Sequence, residues 1–94
     1  MNKKELKDYM KKLGYSLYLE TSNNKFFVFI KNNSGVSVEV NLETLDFKFS
    51  NAVQLVRLNL GWAGPVTNEK HFKKLEGQFI HYYNLCNENK WMRL

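Results

Sequence analysis

The feature that most constrains the fold is a period of two in hydrophobicity that recurs between residues 15 and 49. Apolar side chains recur there at every second position in four segments, 15–20, 25–31, 36–42 and 45–49. This period is that of a β-strand with one buried face, and the polar residues between the segments favour hairpin turns. In the first segment the alternation places Tyr15, Leu17 and Leu19 on a shared face. The pattern predicts an antiparallel meander of three or four strands.

The second of these segments is apolar on both faces. Its residues Phe26, Val28 and Ile30 alternate with Phe27 and Phe29. Such a strand is typical of a central position that is covered on both faces. The alternative is that Phe27 and Phe29 form an exposed aromatic platform, which Tyr18 of the preceding segment would extend.

The N-terminal segment predicts an amphipathic helix that ends at Gly14. Asn2 and Glu5 have the spacing of a capping box. Apolar residues then recur at the helical spacing of three and four: Leu6, Tyr9, Met10 and Leu13. The opposite side carries the lysines Lys3, Lys4, Lys7 and Lys11. This lysine face is either a solvated surface or one that follows a phosphate backbone.

Two further helices are expected in the C-terminal half. The first runs from Ser50 or Asn51 to about Leu60, although its β-branched content also suits a strand. The second follows a cap at Thr67 or Asn68. The apolar stripe of this last helix consists of Phe72, Leu75, Phe79, Tyr82, Tyr83 and Cys86.

The segment between these two helices concentrates Gly61, Gly64 and the only proline of the chain, Pro65, around Trp62. Glycine commonly follows a helix and proline commonly precedes the next one, so the segment predicts a corner between two elements. The Trp62 side chain either fills this corner or is presented to a partner.

The length and composition predict one cytoplasmic α+β domain that covers residues 1–94. A chain of 94 residues supports a single core. Its one cysteine cannot form a disulfide framework, as expected in a reducing compartment. No apolar run approaches the ~20 residues of a membrane span, and no signal peptide is evident. We therefore expect an N-terminal helix, an antiparallel meander and two C-terminal helices, without membrane association.

Motifs for catalysis, metal binding or cofactor binding are missing from the sequence. His71 and His81 are ten residues apart, and Cys86 has no second cysteine with which to bind a metal. On a helix, the spacing of His81 and Cys86 separates their directions by about 140°, which does not suit a nucleophile and its base. The sequence predicts a protein that is not an enzyme and has no cofactor.

The basic character of the chain favours one class of ligand, nucleic acid. The net charge of +5 and the sequence pI of about 9.4 raise encounter rates with polyanions. A nucleic-acid-binding module would use the lysine-rich helix faces together with the aromatic sheet face. The candidate residues for this alternative are Lys4, Lys7, Lys11, Tyr18, Lys25, Phe27, Phe29 and Lys31.

The predicted order of elements resembles that of the small phage-encoded anti-CRISPR proteins that inhibit Cas9. The resemblance covers most of the chain as architecture. At residue level it consists of the helix begun by Met1 and Asn2, the Gly61-Trp62 pair, and a last helix that begins near Glu69–Phe72. It implies a non-enzymatic inhibitor of a host nuclease. The most similar member of that family mimics DNA with carboxylates, whereas Lys70, Lys73 and Lys74 stand in their place here.

The primary functional prediction is a small phage-type binding protein that inhibits a host defence nuclease by protein–protein contact. Its partner would be a host protein or ribonucleoprotein, and nucleic acid is the alternative partner. Tryptophan anchors and exposed lysines are the side chains expected to make such a contact. The candidate residues are Trp62, Lys70, Lys73, Lys74 and Trp91.

Overall fold

The computed structural model describes residues 1–20, 25–31, 36–50 and 61–89, which fold as an α+β protein. The elements follow the order α1 (Lys3–Lys12), β1 (Tyr15–Glu20), β2 (Phe26–Lys31), β3 (Ser37–Asn41), β4 (Asp46–Ser50), β5 (Ala63–Pro65) and α2 (Glu69–Asn89). The helix or strand predicted for residues 51–60 lies outside the described residues, as does Trp91.

The strands form one antiparallel sheet in which neighbours in sequence are neighbours in space, in the order β1-β2-β3-β4-β5. The four strands predicted for residues 15–49 are confirmed, and β5 adds a fifth strand that the sequence did not predict. β5 is part of the segment predicted as a corner. It pairs with β4 through Phe47 and Ala63, and the Val66 N–H beyond it donates to Leu45 O at 2.8 Å.

One face of the sheet carries the core and is covered by both helices; we call it the inner face, and the opposite one the outer face. Leu6 and Met10 of α1 and Phe72 and Phe79 of α2 belong to the same buried cluster as the inner-face residues. The inner-face members from the strands are Tyr15, Phe27, Phe29, Val38, Val40, Phe47 and Phe49. The ring of Phe72 lies 5.0 Å from that of Phe47, so aromatic packing holds α2 against the sheet.

A β-bulge in β1 changes which side chains face the core. Leu17 pairs with Phe29, but the register shifts so that Leu19 pairs with Val28 and Glu20 with Phe27. One extra residue reverses the alternation beyond it. The prediction that Leu19 shares the face of Tyr15 and Leu17 is therefore wrong. Leu19 is 55% exposed, and Glu20 points instead towards α1, where it pairs with Lys3 at 2.7 Å.

Both helices begin at the predicted caps. The Asn2 side chain accepts from the Glu5 N–H at 2.8 Å, and the Glu5 carboxylate accepts from the Asn2 N–H, which completes the capping box. The Asn68 side chain accepts from the His71 N–H at the start of α2. Tyr82, predicted on the inner stripe of α2, is 56% exposed, so its assignment to the core is wrong.

The turn between β3 and β4 supports β5. The Asn41 side chain accepts from the N–H groups of Glu43 and Thr44, and Leu45 adopts a positive φ of 65°. A left-handed conformation is unusual for leucine and is tolerated here because its side chain packs against the core. This conformation aims the Leu45 carbonyl at the N–H of Val66.

Candidate binding surfaces

Trp62 lies on the outer face of the sheet, where its ring contacts residues of β2 and β4. Its ring lies 5.9 Å from that of Phe26, and Lys48 Nζ lies over it at 4.8 Å from the centroid. Lys48 also pairs with Glu39 at 3.4 Å. The Trp62 side chain is nevertheless 46% exposed. We call Trp62, Phe26, Lys48 and Glu39 the Trp62 patch. In this patch the Trp62 ring contacts Phe26 and Lys48, and the rest of the ring is exposed to solvent.

The backbone beside Trp62 is anchored into the body of the protein. Val66, four residues later, is fully buried, and its carbonyl accepts from the Tyr9 hydroxyl at 2.9 Å. Burial, together with the nearby Glu69 carboxylate, raises the pKa of Tyr9 and keeps this hydroxyl a donor. Residues 63–66 thus connect β4, α1 and the start of α2. Trp62 directly precedes β5, whose following residue Val66 is buried in the core.

Phe27 and Phe29 do not form the exposed aromatic platform that was one of the two predictions for β2. Both rings are 1% exposed because α1 and α2 cover the inner face. Lys31 shares that face and is half-buried, so it does not flank a platform either. Tyr18 is exposed at the bulge of β1, and Lys25 is exposed just before β2. The structure therefore separates Tyr18 and Lys25 from the buried members of the predicted set.

Lys31 belongs instead to a polar cluster between the sheet and α2. The Tyr15 hydroxyl donates to Glu76 Oε2 at 2.6 Å, and Lys31 Nζ contacts the same oxygen at 3.3 Å. Lys31 Nζ also lies 5.8 Å from the centroid of the Tyr15 ring. Burial and the hydrogen bond to Glu76 raise the pKa of Tyr15, because the neutral hydroxyl is the form that can donate. Tyr15, Lys31 and Glu76 all contact one another, which is typical of a structural role; we call this cluster the clamp.

The lysine face of α1 is exposed except at Lys3. Lys3 pairs with Glu20 and lies over the Phe27 ring, so its assignment to the solvated face is wrong. The other lysines of α1 make no ion pair with any described residue: Lys4, Lys7, Lys11 and Lys12. A helix of ten residues therefore exposes four lysines that have no ion pair among the described residues.

The lysines of α2 lie on the other side of the molecule from Trp62. Lys70, Lys73 and Lys74 are all exposed, and Lys73 pairs with Glu69 at 3.2 Å. An exposed pair of this kind leaves most of the lysine charge available to a partner. α2 covers the inner face, whereas Trp62 lies on the outer face, so the structure does not bring Trp62 together with these lysines.

Sequence reasoning singled out Trp62 but missed its partners. Phe26 and Lys48 lie 36 and 14 positions earlier in the chain, on the strands β2 and β4. Their shared face follows from strand alternation once the pairing of β2 with β3 and of β3 with β4 is known. Predicting the Trp62 patch would therefore have required the register of these strands, which the hairpin pattern alone does not determine.

A cleft at the junction of α1 and β1 was not predicted. Its volume is about 320 Å³. The lining residues are Lys7, Asp8, Lys11, Tyr15, Ser16 and Leu17. Two exposed lysines of α1, Lys7 and Lys11, thus line a concave surface together with Asp8 and the half-buried Leu17.

No protein-family model, curated protein or solved structure matches this chain. Within residues 1–20, 25–31, 36–50 and 61–89, no three His, Cys, Asp or Glu side chains are grouped so that they could hold a metal ion. Neither helix built from these residues is long and apolar enough to span a bilayer.

Proposed function

We propose that this chain is a small, non-catalytic binding protein that contacts a partner protein through the Trp62 patch. The observation that carries the proposal is that Trp62 is held by Phe26 and Lys48 and yet is 46% exposed. Ordering a side chain on binding opposes association, so a ring that is already fixed binds with less loss of entropy.

The chemistry of the patch suits a protein partner. Tryptophan is enriched among the residues that dominate protein–protein affinity, and such residues are surrounded by contacts of little energetic weight that exclude water. The Lys48–Glu39 pair lies beside Trp62 and suits the polar rim of an interface. The sheet beneath the patch is regular, since Glu39 and Lys48 are register partners.

The partner class that we propose is a host defence nuclease of the Cas9 type, acting in the cytoplasm. The support for this class is the resemblance of the N-terminal helix and antiparallel meander to small phage-encoded anti-CRISPR proteins. The single cysteine of the chain supports the compartment. Lys70, Lys73 and Lys74 would contribute a separate, charge-based contact with acidic groups of the partner or with its guide RNA.

The test measures DNA cleavage by a purified Cas9–guide complex while the concentration of this protein is increased. We expect inhibition, and we expect Trp62→Ala to weaken it about tenfold or more, as for a central interface residue. Tyr82→Ala is the matched control, because Tyr82 is an exposed aromatic residue on α2, away from the patch. It should inhibit as well as the wild type.

Two results would contradict this proposal. Equal inhibition by the Trp62→Ala and wild-type proteins would remove the patch from the interface. The absence of both inhibition and binding to the Cas9–guide complex, measured by gel filtration, would remove the partner class.

A second function, nucleic-acid binding, is favoured by one specific observation, the four exposed lysines of α1 that make no ion pair within the described part of the chain. Contacts of this kind release counterions from a phosphate backbone, so affinity falls steeply as salt rises. Binding of a labelled single-stranded oligonucleotide should then weaken between 50 and 200 mM salt, by about tenfold or more for a few phosphate contacts. An affinity that is independent of salt would exclude this mode.

A further inference from the structure

The cleft between α1 and β1 combines a concave surface with uneven charge. Lys7 and Lys11 are one helical turn apart and both line it. Neither is paired with a carboxylate of any described residue, although Asp8 also contributes to the lining. Two ammonium groups and one carboxylate leave a net charge of +1 at the cleft.

The two lysines repel each other in this arrangement. Like charges at positions i and i+4 of a helix are unfavourable, and an anion between them turns repulsion into attraction. Lys4 and Lys12 on the same helix are equally exposed but do not line the cleft. Lys7 and Lys11 therefore differ from Lys4 and Lys12, a pair of equal charge, because only Lys7 and Lys11 line the cleft.

The size and the other lining residues narrow the class of ligand. A volume of about 320 Å³ lies at the lower end of small-molecule sites and exceeds what a bare inorganic anion needs. Leu17, which is half-buried, adds apolar lining, and Ser16 adds a polar side chain, whereas Tyr15 lies beneath the surface at 1% exposure. These features suit an anion that is attached to a small organic body.

We propose that the α1–β1 cleft binds one phosphate group of a nucleotide unit, with Lys7 and Lys11 on the phosphate oxygens and the sugar or base against Leu17. The inference rests on the second function above and narrows it to one place on the surface. The same chemistry occurs in a free nucleotide and in a nucleic-acid strand.

The experiment measures the affinity of the full chain for fluorescein-labelled single-stranded oligonucleotide and for AMP, with inorganic phosphate as a competitor. Lys7→Ala with Lys11→Ala should weaken binding by about tenfold, as expected for the loss of charge-assisted hydrogen bonds. The charge-matched comparison, Lys4→Ala with Lys12→Ala, removes two lysines of the same helix that do not line the cleft, so it should weaken binding of the oligonucleotide less than the Lys7–Lys11 pair does.

Asp8→Asn tests whether the phosphate binds beside this carboxylate, because a purely structural effect on α1 would not strengthen binding. Removing this carboxylate from the cleft should strengthen phosphate binding by about twofold, because the anion no longer meets a like charge. Glu43→Gln, which changes charge equally on the exposed turn between β3 and β4, should leave the affinity unchanged. Circular dichroism of every variant checks that α1 is intact.

The outcomes separate the cleft from the broader function. Binding of AMP without oligonucleotide would support the cleft as a site for a free nucleotide and would overturn nucleic-acid binding. Oligonucleotide binding that the two lysine pairs weaken equally would overturn the cleft and leave nucleic-acid binding in place. Failure to bind either probe would overturn both.

Discussion

The Tyr15 hydroxyl donates a 2.6 Å hydrogen bond to Glu76 Oε2, which joins the first residue of β1 to α2 across 61 positions of sequence. We expect Tyr15→Phe to lower the free energy of unfolding by about 1.5 kcal/mol, because the acceptor is a partly buried carboxylate. For a domain of this size each kcal/mol corresponds to about 4–8 °C in Tm. Tyr18→Phe, an exposed tyrosine on the same strand, should change Tm little; equal changes would contradict the clamp.

The same hydroxyl predicts a loss of stability at high pH. Folding raises the pKa of Tyr15 above its ordinary value of 10.0, so the folded state favours the neutral form. Its contribution is complete below that value and is lost as pH rises above it. Urea unfolding between pH 8 and pH 11 should show a steeper loss for the wild type than for Tyr15→Phe. Lysines lose their charge in both proteins, so parallel curves would contradict this assignment.

Neighbouring phenylalanines on β2 should respond differently to truncation. Phe27 is 1% exposed on the inner face, so Phe27→Ala should cost about 3–5 kcal/mol. Phe26 is half-buried on the outer face, and Phe26→Ala should cost less while it loosens Trp62. Urea unfolding measures the first effect. Fluorescence anisotropy in a Trp91→Phe background, where Trp62 is the only tryptophan, measures the second.

If Phe27→Ala does not fold, Phe27→Leu should still be less stable than Phe26→Leu. The reverse order would mean that the helices cover the other face of the sheet.

Two glycines should react oppositely to alanine. Gly77 lies within α2, and a Cβ there would meet open space, so Gly77→Ala should stabilise the protein by about 0.5–1 kcal/mol. Gly14 has a φ of 91°, which alanine adopts poorly, so Gly14→Ala should destabilise it by about 1–2 kcal/mol. Thermal melts of both variants make the comparison. Destabilisation by Gly77→Ala would show that the open space is not available.

The capping box of α1 should contribute measurably to stability. Asn2→Ala removes the acceptor for the Glu5 N–H and should cost about 1 kcal/mol. Asn2→Asp keeps the acceptor and adds a negative charge near the helix N-terminus, so it should retain stability. Helicity and Tm measured together would test this, and an unchanged Tm for Asn2→Ala would contradict it.

The strands of the meander were predictable because each buries one face, which imposes a period of two on the sequence. β5 was not, because Ala63–Pro65 lacks the β-branched and aromatic residues that favour strands, and its pairing depends on Val66 and Leu45. The β1 bulge was equally hidden. Tyr18 and Leu19 are both compatible with either face, so only the pairing with Val28 decides their orientation.

The candidate surfaces were also only partly predictable from the sequence. The exposure of the α1 lysines follows from the helical pattern, whereas the sequence singled out Trp62 without deciding whether it fills the corner or is exposed. The burial of Phe27 could not be deduced, since Phe26 and Phe27 offer equally apolar faces and the choice depends on where the helices pack. The α1–β1 cleft requires the positions of a helix and a strand together, which is tertiary information.

The irregular outer strands of the sheet have a consequence for how the protein behaves in concentrated solution. A regular edge offers a row of free amide and carbonyl groups on which strands of other molecules can assemble. Here the β1 edge is interrupted by its bulge, and the β5 edge is three residues long and ends in Pro65, which has no N–H to donate. Both ends of the described sheet therefore resist edge-to-edge aggregation, so the exposed aromatic residues can be displayed without the sheet acting as a template for fibrils.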